Sequence, residues 1–277
     1  MKLDSLFHSP QVLPVISPVV QDLLATLGKE DFHIEALAQL IARDAVITAR
    51  LLQLANSAYF ELPQAISTVS QAVHHLGFVN VRSTVIRIGL MSSFSQLDAQ
   101  VAKQFWRHSL HMAAAAQHWA ALPAVQLDSE LAHVLALLYP IGQLMLYQSL
   151  PGDMAALDQQ AHPLSPQRVS LERAKFGFSY TDVGAELLRR WRFPAMFVHV
   201  LTDPPRAQPD VRLAALVRMA AWQVWYSEQV HDNDTTDAAD NSWPTDLAAT
   251  VPLLPEQGGN HFPPWAALCG TAQAMLI

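Results

Sequence analysis

Histidine is a frequent side chain capable of chemistry in this protein, with twelve in 277 residues. His108 and His111 stand three apart in an alanine-rich run. On a helix that spacing places two imidazoles on one face, within reach of a single metal ion. His118, His133 and His199 would add a third ligand only by tertiary coincidence, because no ligand motif surrounds them; satisfied or solvated histidines are the expectation. His74-His75, close to a predicted helix end, suits capping and the negative end of a helix dipole. A second polar set, Asp44, Arg50, Asn56 and Ser57, interrupts an apolar stretch. Buried there, Arg50 would need a carboxylate or carbonyl partner, and Asn56-Ser57 can cap a helix end or turn the chain. These four are expected to fix helix packing, with a ligand or partner site as the sharper alternative. There is no glycine-rich phosphate loop, no Gly-x-Ser-x-Gly elbow and no setting for a cysteine nucleophile. The single cysteine, Cys269, excludes a disulfide framework and a cysteine-based zinc site.

The elements that must position these residues read as helices throughout. Ser17-Pro18 is an N-cap followed by proline at the first helical position, with Gly28 as the stop. A second helix is predicted over His33–Arg43, and Asp44 caps a third with Ile47, Leu51, Leu54 and Ala55 inward. Ser67 or Thr68 opens a short helix ending at Gly77, and Asn80 opens one through Ser93. Asp98–Ala121 is a long helix. Asp128 or Ser129 opens another that Pro140 must kink or split before Ile141–Leu150. Ser165-Pro166 starts a helix stopped near Gly177. Thr181 starts one ending near Trp191, Pro194 opens one that stops at Pro204-Pro205, and a strong amphipathic helix covers Asp210–Glu228. Neither strand alternation nor a two-residue hairpin signal is present. The fold class is all-α.

Composition narrows the function classes. Apolar residues make up 51% of the chain and charged ones 15%, enough to build a core without metal or disulfides. The net charge of −7 comes from the C-terminal part: beyond Arg218 lie seven acids and no base, so residues 1–218 are neutral. A neutral body argues against phosphate-backbone binding, and nucleic acid is not an expected partner. No signal peptide or membrane span is expected, which makes a reducing cytoplasm the default compartment. Residues 229–262, acidic and poor in large apolar side chains, are expected to form a long loop or a partly disordered segment, and Pro263–Ile277 a helix-compatible tail.

Four segments together resemble the HDOD domain, a regulatory relative of the HD-type phosphohydrolases. They are Asp44–Ser57 (DAVITARLLQLANS), Ile66–Gly77 (ISTVSQAVHHLG), Phe105-Trp106-Arg107-His108-Ser109, and Val183–Trp191 with the following Pro194. The resemblance covers residues 10–205. It implies an N-terminal helical lobe over 10–96 and an HD-like bundle over 97–205, with a C-terminal helix, acidic loop and terminal helix over 206–277. It adds Trp106 and His108 to the candidate set of Asp44, Arg50, Asn56 and Ser57.

The same resemblance implies where a hydrolytic metal centre would stand. HD enzymes hold their ions with a histidine, an adjacent His-Asp pair and a later aspartate, which polarise phosphate and activate water. Here the first histidine is kept as His108, but the pair falls on Tyr139-Pro140. A position that often carries histidine is Tyr180, and a later aspartate is met by Asp203. Proline offers no ligand and tyrosine a poor one, so no catalytic residue, metal or cofactor is expected. The resemblance then implies a regulatory module working through protein contacts. Its partners would be signalling proteins in trans, of cyclic-di-GMP or two-component type, with self-association open. The competing expectations are an HD-type phosphohydrolase and a sensor that binds a small ligand or nucleotide around His108 and Tyr139.

Overall fold

The computed structural model describes residues 2–8, 14–26, 33–57, 65–94, 96–202 and 211–232. It divides into two compact units, one built from residues 14–96 and the other from residues 2–8 and the described chain from Leu97 onward. Among the described residues every regular element is a helix. The elements are α1 (Leu3–Leu6), α2 (Pro18–Leu24), α3 (Ile34–Ile41), α4 (Ala45–Ala55), α5 (Val69–Leu76), α6 (Phe78–Ser93), α7 (Ala99–Ala120) and α8 (Ser129–Leu138). They continue with α9 (Ile141–Ser149), α10 (Pro151–Asp158), α11 (Arg168–Phe176), α12 (Tyr180–Arg190), α13 (Ala195–Leu201) and α14 (Val211–Asp232).

In the smaller unit α6 packs on α2, α4 and α5. Local chemistry starts these helices where the residue types require it. The Ser17 hydroxyl accepts from Val19 N–H at the head of α2, and Asp44 Oδ1 accepts from Val46 and Ile47 N–H at the head of α4. Thr68 and Gln71 form a reciprocal capping box on α5. Gly77 adopts φ 84, a left-handed value that glycine reaches without penalty, and so turns α5 into α6 at once. The helix therefore begins at Phe78. Asn80 is internal, and its side-chain amide donates back to the Leu76 carbonyl instead of opening the element.

In the larger unit α7 packs along α8 and α14, while α9 packs on α12 and α10. Asp98 and Asp128 cap α7 and α8 through paired amide contacts. Pro140 splits the expected helix: α8 ends at Leu138 and α9 begins at Ile141, with Tyr139-Pro140 as the turn. Taken as one run, Ser129–Ser149 is by length and composition apolar enough to cross a membrane, although Glu130, His133, Gln143 and Gln148 interrupt it. It is broken by that turn and 89% of it is buried inside the unit, as in a core hairpin.

Other boundaries differ for identifiable reasons. Ser165 closes a turn through its carbonyl to Arg168 N–H, so α11 starts three residues later than its Ser-Pro signal suggests. Ser179, not Thr181, caps α12, sharing a capping box with Asp182. Helix α10, opened by Pro151 at its first position, carries a start signal that the sequence reading passed over. Helix α14 continues through 229–232, where a loop is expected. Gly28, Asp203, Pro204-Pro205 and the tail Pro263–Ile277 lie outside the described residues.

Helices α9 and α12 meet at glycine. A methyl group on Gly142 would stand 2.0 Å from the Tyr180 carbonyl oxygen and 2.6 Å from Gly184 N. Backbone therefore touches backbone at this crossing, and it is there that the chain emerges from the Tyr139-Pro140 turn.

Candidate functional site

Two of the positions that the resemblance gives to HD-type ligands, Tyr139 and Tyr180, are filled by aromatic packing. Tyr139 and Tyr180 are 6% and 4% exposed, and their rings meet edge to face with centroids 6.0 Å apart at 86°. Burial pushes the Tyr180 phenol well above its ordinary value, so it stands as a neutral hydroxyl. Pro140 supplies no ligand atom, and Asp203 lies outside the described residues. A neutral phenol and a proline do not fit the hard divalent ion that such chemistry needs.

His108 has other partners. It is buried on α7, and its Nε2 lies 3.1 Å from Glu228 Oε2 on α14. His162, in the connection between α10 and α11, places its Nε2 2.9 Å from the same oxygen. The two imidazole rings are 4.9 Å apart. Arg107 donates to the other carboxylate oxygen, Oε1, at 2.8 Å. Segments separated by 54 to 120 residues thus converge on one carboxylate.

The electrostatics of the cluster follow from burial and pairing. Burial lowers the His108 pKa below its ordinary value, outweighing the Glu228 bond, and lowers that of neighbouring His111 to about 4. Both rings are neutral at pH 7. Burial alone would raise the Glu228 pKa, but hydrogen bonds from His108 and His162 and the charge of Arg107 hold it far below the usual carboxylate range. Leu164 N–H donates to His162 Nδ1 at 3.1 Å, so that nitrogen carries a lone pair and the ring proton sits on Nε2, facing Glu228. Without an ion, the arrangement is one carboxylate receiving imidazole N–H groups and a guanidinium.

Sequence spacing singled out His108 and missed His162 and Glu228. No local signal marks either: His162 sits in a polar connection, and Glu228 reads as one acid among the seven near the C-terminus. The structure does not bring His111 onto the Glu228 carboxylate with His108 and His162, although it is buried close by. His133 pairs through Nδ1 with Gln117 Oε1.

A second buried polar group is structural. Arg168 is fully buried, donating from Nε to Glu172 Oε1 at 2.8 Å and from Nη1 to Asp158 Oδ1 at 2.7 Å and the Ala161 carbonyl at 3.0 Å. Glu172, also fully buried, accepts the Tyr180 amide at 2.6 Å and so caps α12 from α11.

The Asp44–Ser57 set resolves into separate roles. Asp44 is the cap of α4 and also accepts from the Ser17 hydroxyl at 3.0 Å, tying α2 to α4. Asn56 bridges to Ile66 through both amide atoms, at 2.7 Å each. Among the described residues the Ser57 hydroxyl oxygen has no hydrogen-bond partner. Arg50 is exposed, which corrects the expectation of a buried cation needing a partner: its helix turns this position outward. Trp106 is buried, edge to face with Phe105 at 4.9 Å.

A model of the HDOD domain matches residues 13–203. Among solved structures, the chain is similar to a candidate phosphohydrolase from Shewanella amazonensis SB2B, with 23% identity and a TM-score of 0.69, over 98% of this chain and 97% of that one. It is also similar to an HDOD domain protein of unknown function from Geobacter sulfurreducens, with 22% identity and a TM-score of 0.65, over 97% and 87%. A candidate signal transduction protein from Marinobacter aquaeolei VT8 matches with 17% identity and a TM-score of 0.72, over 99% of this chain and 61% of that one. At these identities the likeness is one of fold. No curated protein sequence matches the chain.

Proposed function

Because this chain belongs to the HDOD family, we propose that it is a non-catalytic regulatory module that passes a signal through protein contacts in the cytoplasm. The observation that carries this reading is the occupation of the hydrolytic pair by Tyr139-Pro140, with the Tyr139 ring against buried Tyr180. A phosphohydrolase of the HD type needs several oxygen and nitrogen ligands converging on its ions. Here two of those positions carry none that would serve. His108, a position that is retained, is turned to Glu228 and thereby to holding α14 against α7.

The partners that fit such a module are signalling proteins supplied in trans, of cyclic-di-GMP or two-component type. The Marinobacter protein of related fold, named for signal transduction, supports that direction. The neutral balance of residues 1–218 favours protein over nucleic acid as the partner.

The test is turnover. The purified chain is assayed against chromogenic phosphomonoesters and phosphodiesters with manganese, iron, magnesium and zinc. The reading expects rates no higher than buffer, unchanged in His108→Ala. Metal-dependent turnover that His108→Ala abolishes would overturn it in favour of an HD-type phosphohydrolase.

A further inference from the structure

We propose that His108, His162 and Glu228 form a site for a zinc-class divalent ion, ligated by Nε2 of each histidine and Oε2 of the glutamate. One ligand atom from each residue lies within 4.8 Å of the others. Both imidazole nitrogens face a single carboxylate oxygen, at 3.1 and 2.9 Å. In a tetrahedral zinc site with bonds of about 2.0–2.1 Å, neighbouring ligand atoms stand roughly 3.4 Å apart. The two nitrogen–oxygen edges need an expansion of a few tenths of an ångström to reach that spacing, and the nitrogen–nitrogen edge, within 4.8 Å, must settle to the same value. Two imidazoles with one carboxylate suit zinc and its transition-metal neighbours, and do not suit magnesium or calcium, which take oxygen donors.

The surroundings favour an ion. Arg107 holds Oε1 from outside and leaves Oε2 to the ion, as outer partners of metal carboxylates do. His162 and Glu228 side chains are 13% and 14% exposed, so the site is open to solvent on one side and a fourth position remains for water. The cost is also visible. For His108 and His162 to ligate through Nε2, each ring proton must move to Nδ1 and both bonds to Glu228 Oε2 are exchanged for bonds to the ion, and at His162 the Leu164 N–H bond to Nδ1 is given up as well. The ion's role is to fasten α14 to α7 and to the connection before α11, which is independent of any hydrolysis.

The experiment uses the full chain, stripped with a chelator and titrated with zinc by calorimetry, with magnesium as the comparison. Imidazole tautomers are followed by NMR on histidine-labelled protein. One zinc per chain is expected, with no magnesium binding. The His162 ring should change from an Nε2–H to an Nδ1–H tautomer as zinc is added. Arg107→Ala should weaken zinc by the roughly 10–100-fold typical of an outer partner, and His162→Ala by more. Should buried His108 prove intolerant of change, partly exposed His162 still gives the answer, and His199→Ala should leave binding intact. No zinc binding by the wild type, or equal affinity in His162→Ala with unchanged tautomers, would overturn the site and leave a cluster held by protons alone. Phosphoester turnover in the zinc-loaded protein would overturn the non-catalytic reading while leaving the ion site standing, so the two failures are separable.

Discussion

Replacing Arg168 by methionine should be among the most damaging single changes in the larger unit. The guanidinium and Glu172 are both fully buried, and the arginine supplies that carboxylate with a 2.8 Å charge-assisted bond. Burial already raises the Glu172 pKa, with Arg168 and the Tyr180 amide opposing that rise. Without the arginine, the carboxylate keeps only the Tyr180 amide. Removing one partner of a buried pair costs about 3–5 kcal/mol, because a charge is left without compensation. For a unit of this size each kcal/mol shifts the melting temperature by roughly 2–4 °C, so a fall of about 6–20 °C is expected. Thermal unfolding followed by far-ultraviolet circular dichroism measures that fall, and denaturant unfolding the free energy. The double variant Arg168→Met, Glu172→Gln should recover much of the loss, since glutamine still accepts the Tyr180 amide but carries no charge. The deficit of the single variant should also shrink with acidification. An unpaired, buried Glu172 takes up its proton at higher pH than an unfolded glutamate does, so stability is regained as pH falls towards the unfolded carboxyl value of about 4.3. A single-variant cost below about 1 kcal/mol, or a double variant no better than the single, would refute the buried-charge account.

Gly142→Ala should destabilise by about 1–3 kcal/mol or more, because its methyl group meets the backbone of α12. Gly152→Ala, where nothing lies within 4 Å, should be neutral or gain up to about 1 kcal/mol in the same unfolding assay. Asp44→Ala should cost about 0.5–2 kcal/mol through loss of the α4 cap, and more if the Ser17 tie to α2 contributes, a difference that Ser17→Ala isolates by double-mutant cycle. Stability should fall as pH drops from 7 to 5. His111 is held near pKa 4 when folded and returns to about 6.5 when unfolded, so the unfolded chain takes up protons that the folded one refuses. That single group contributes about 2 kcal/mol over the interval, with His108 acting in the same sense. The depressed carboxyl of Glu228 adds its own loss only below about pH 4.3. Thermal melts at both pH values check the slope, and His111→Leu should flatten it.

Much of this architecture is legible residue by residue. Helix period, the caps at Ser17, Asp44, Thr68, Asp98 and Asp128, the break at Pro140 and the turn at Gly77 are contests among neighbours within four residues, and the local sequence contains every contestant. The all-α class and the resemblance to the HDOD domain rest on such segments in order. Even some misplaced boundaries are local near-ties, as between Ser179 and Thr181 at the head of α12.

What the tertiary structure decided is which polar side chains are buried and what meets them. Arg50 and Arg168 are equally charged in the sequence, yet the first is exposed and the second has no exposed surface. That difference depends on which helix faces cover each, not on the residues beside them. His108 was recognisable by its setting in Phe-Trp-Arg-His-Ser, but its partners His162 and Glu228 lie 54 and 120 residues away, at distances no periodicity reports. A carboxylate among seven C-terminal acids became the centre of a site because α14 packs along α7 and brings Glu228 against two imidazoles.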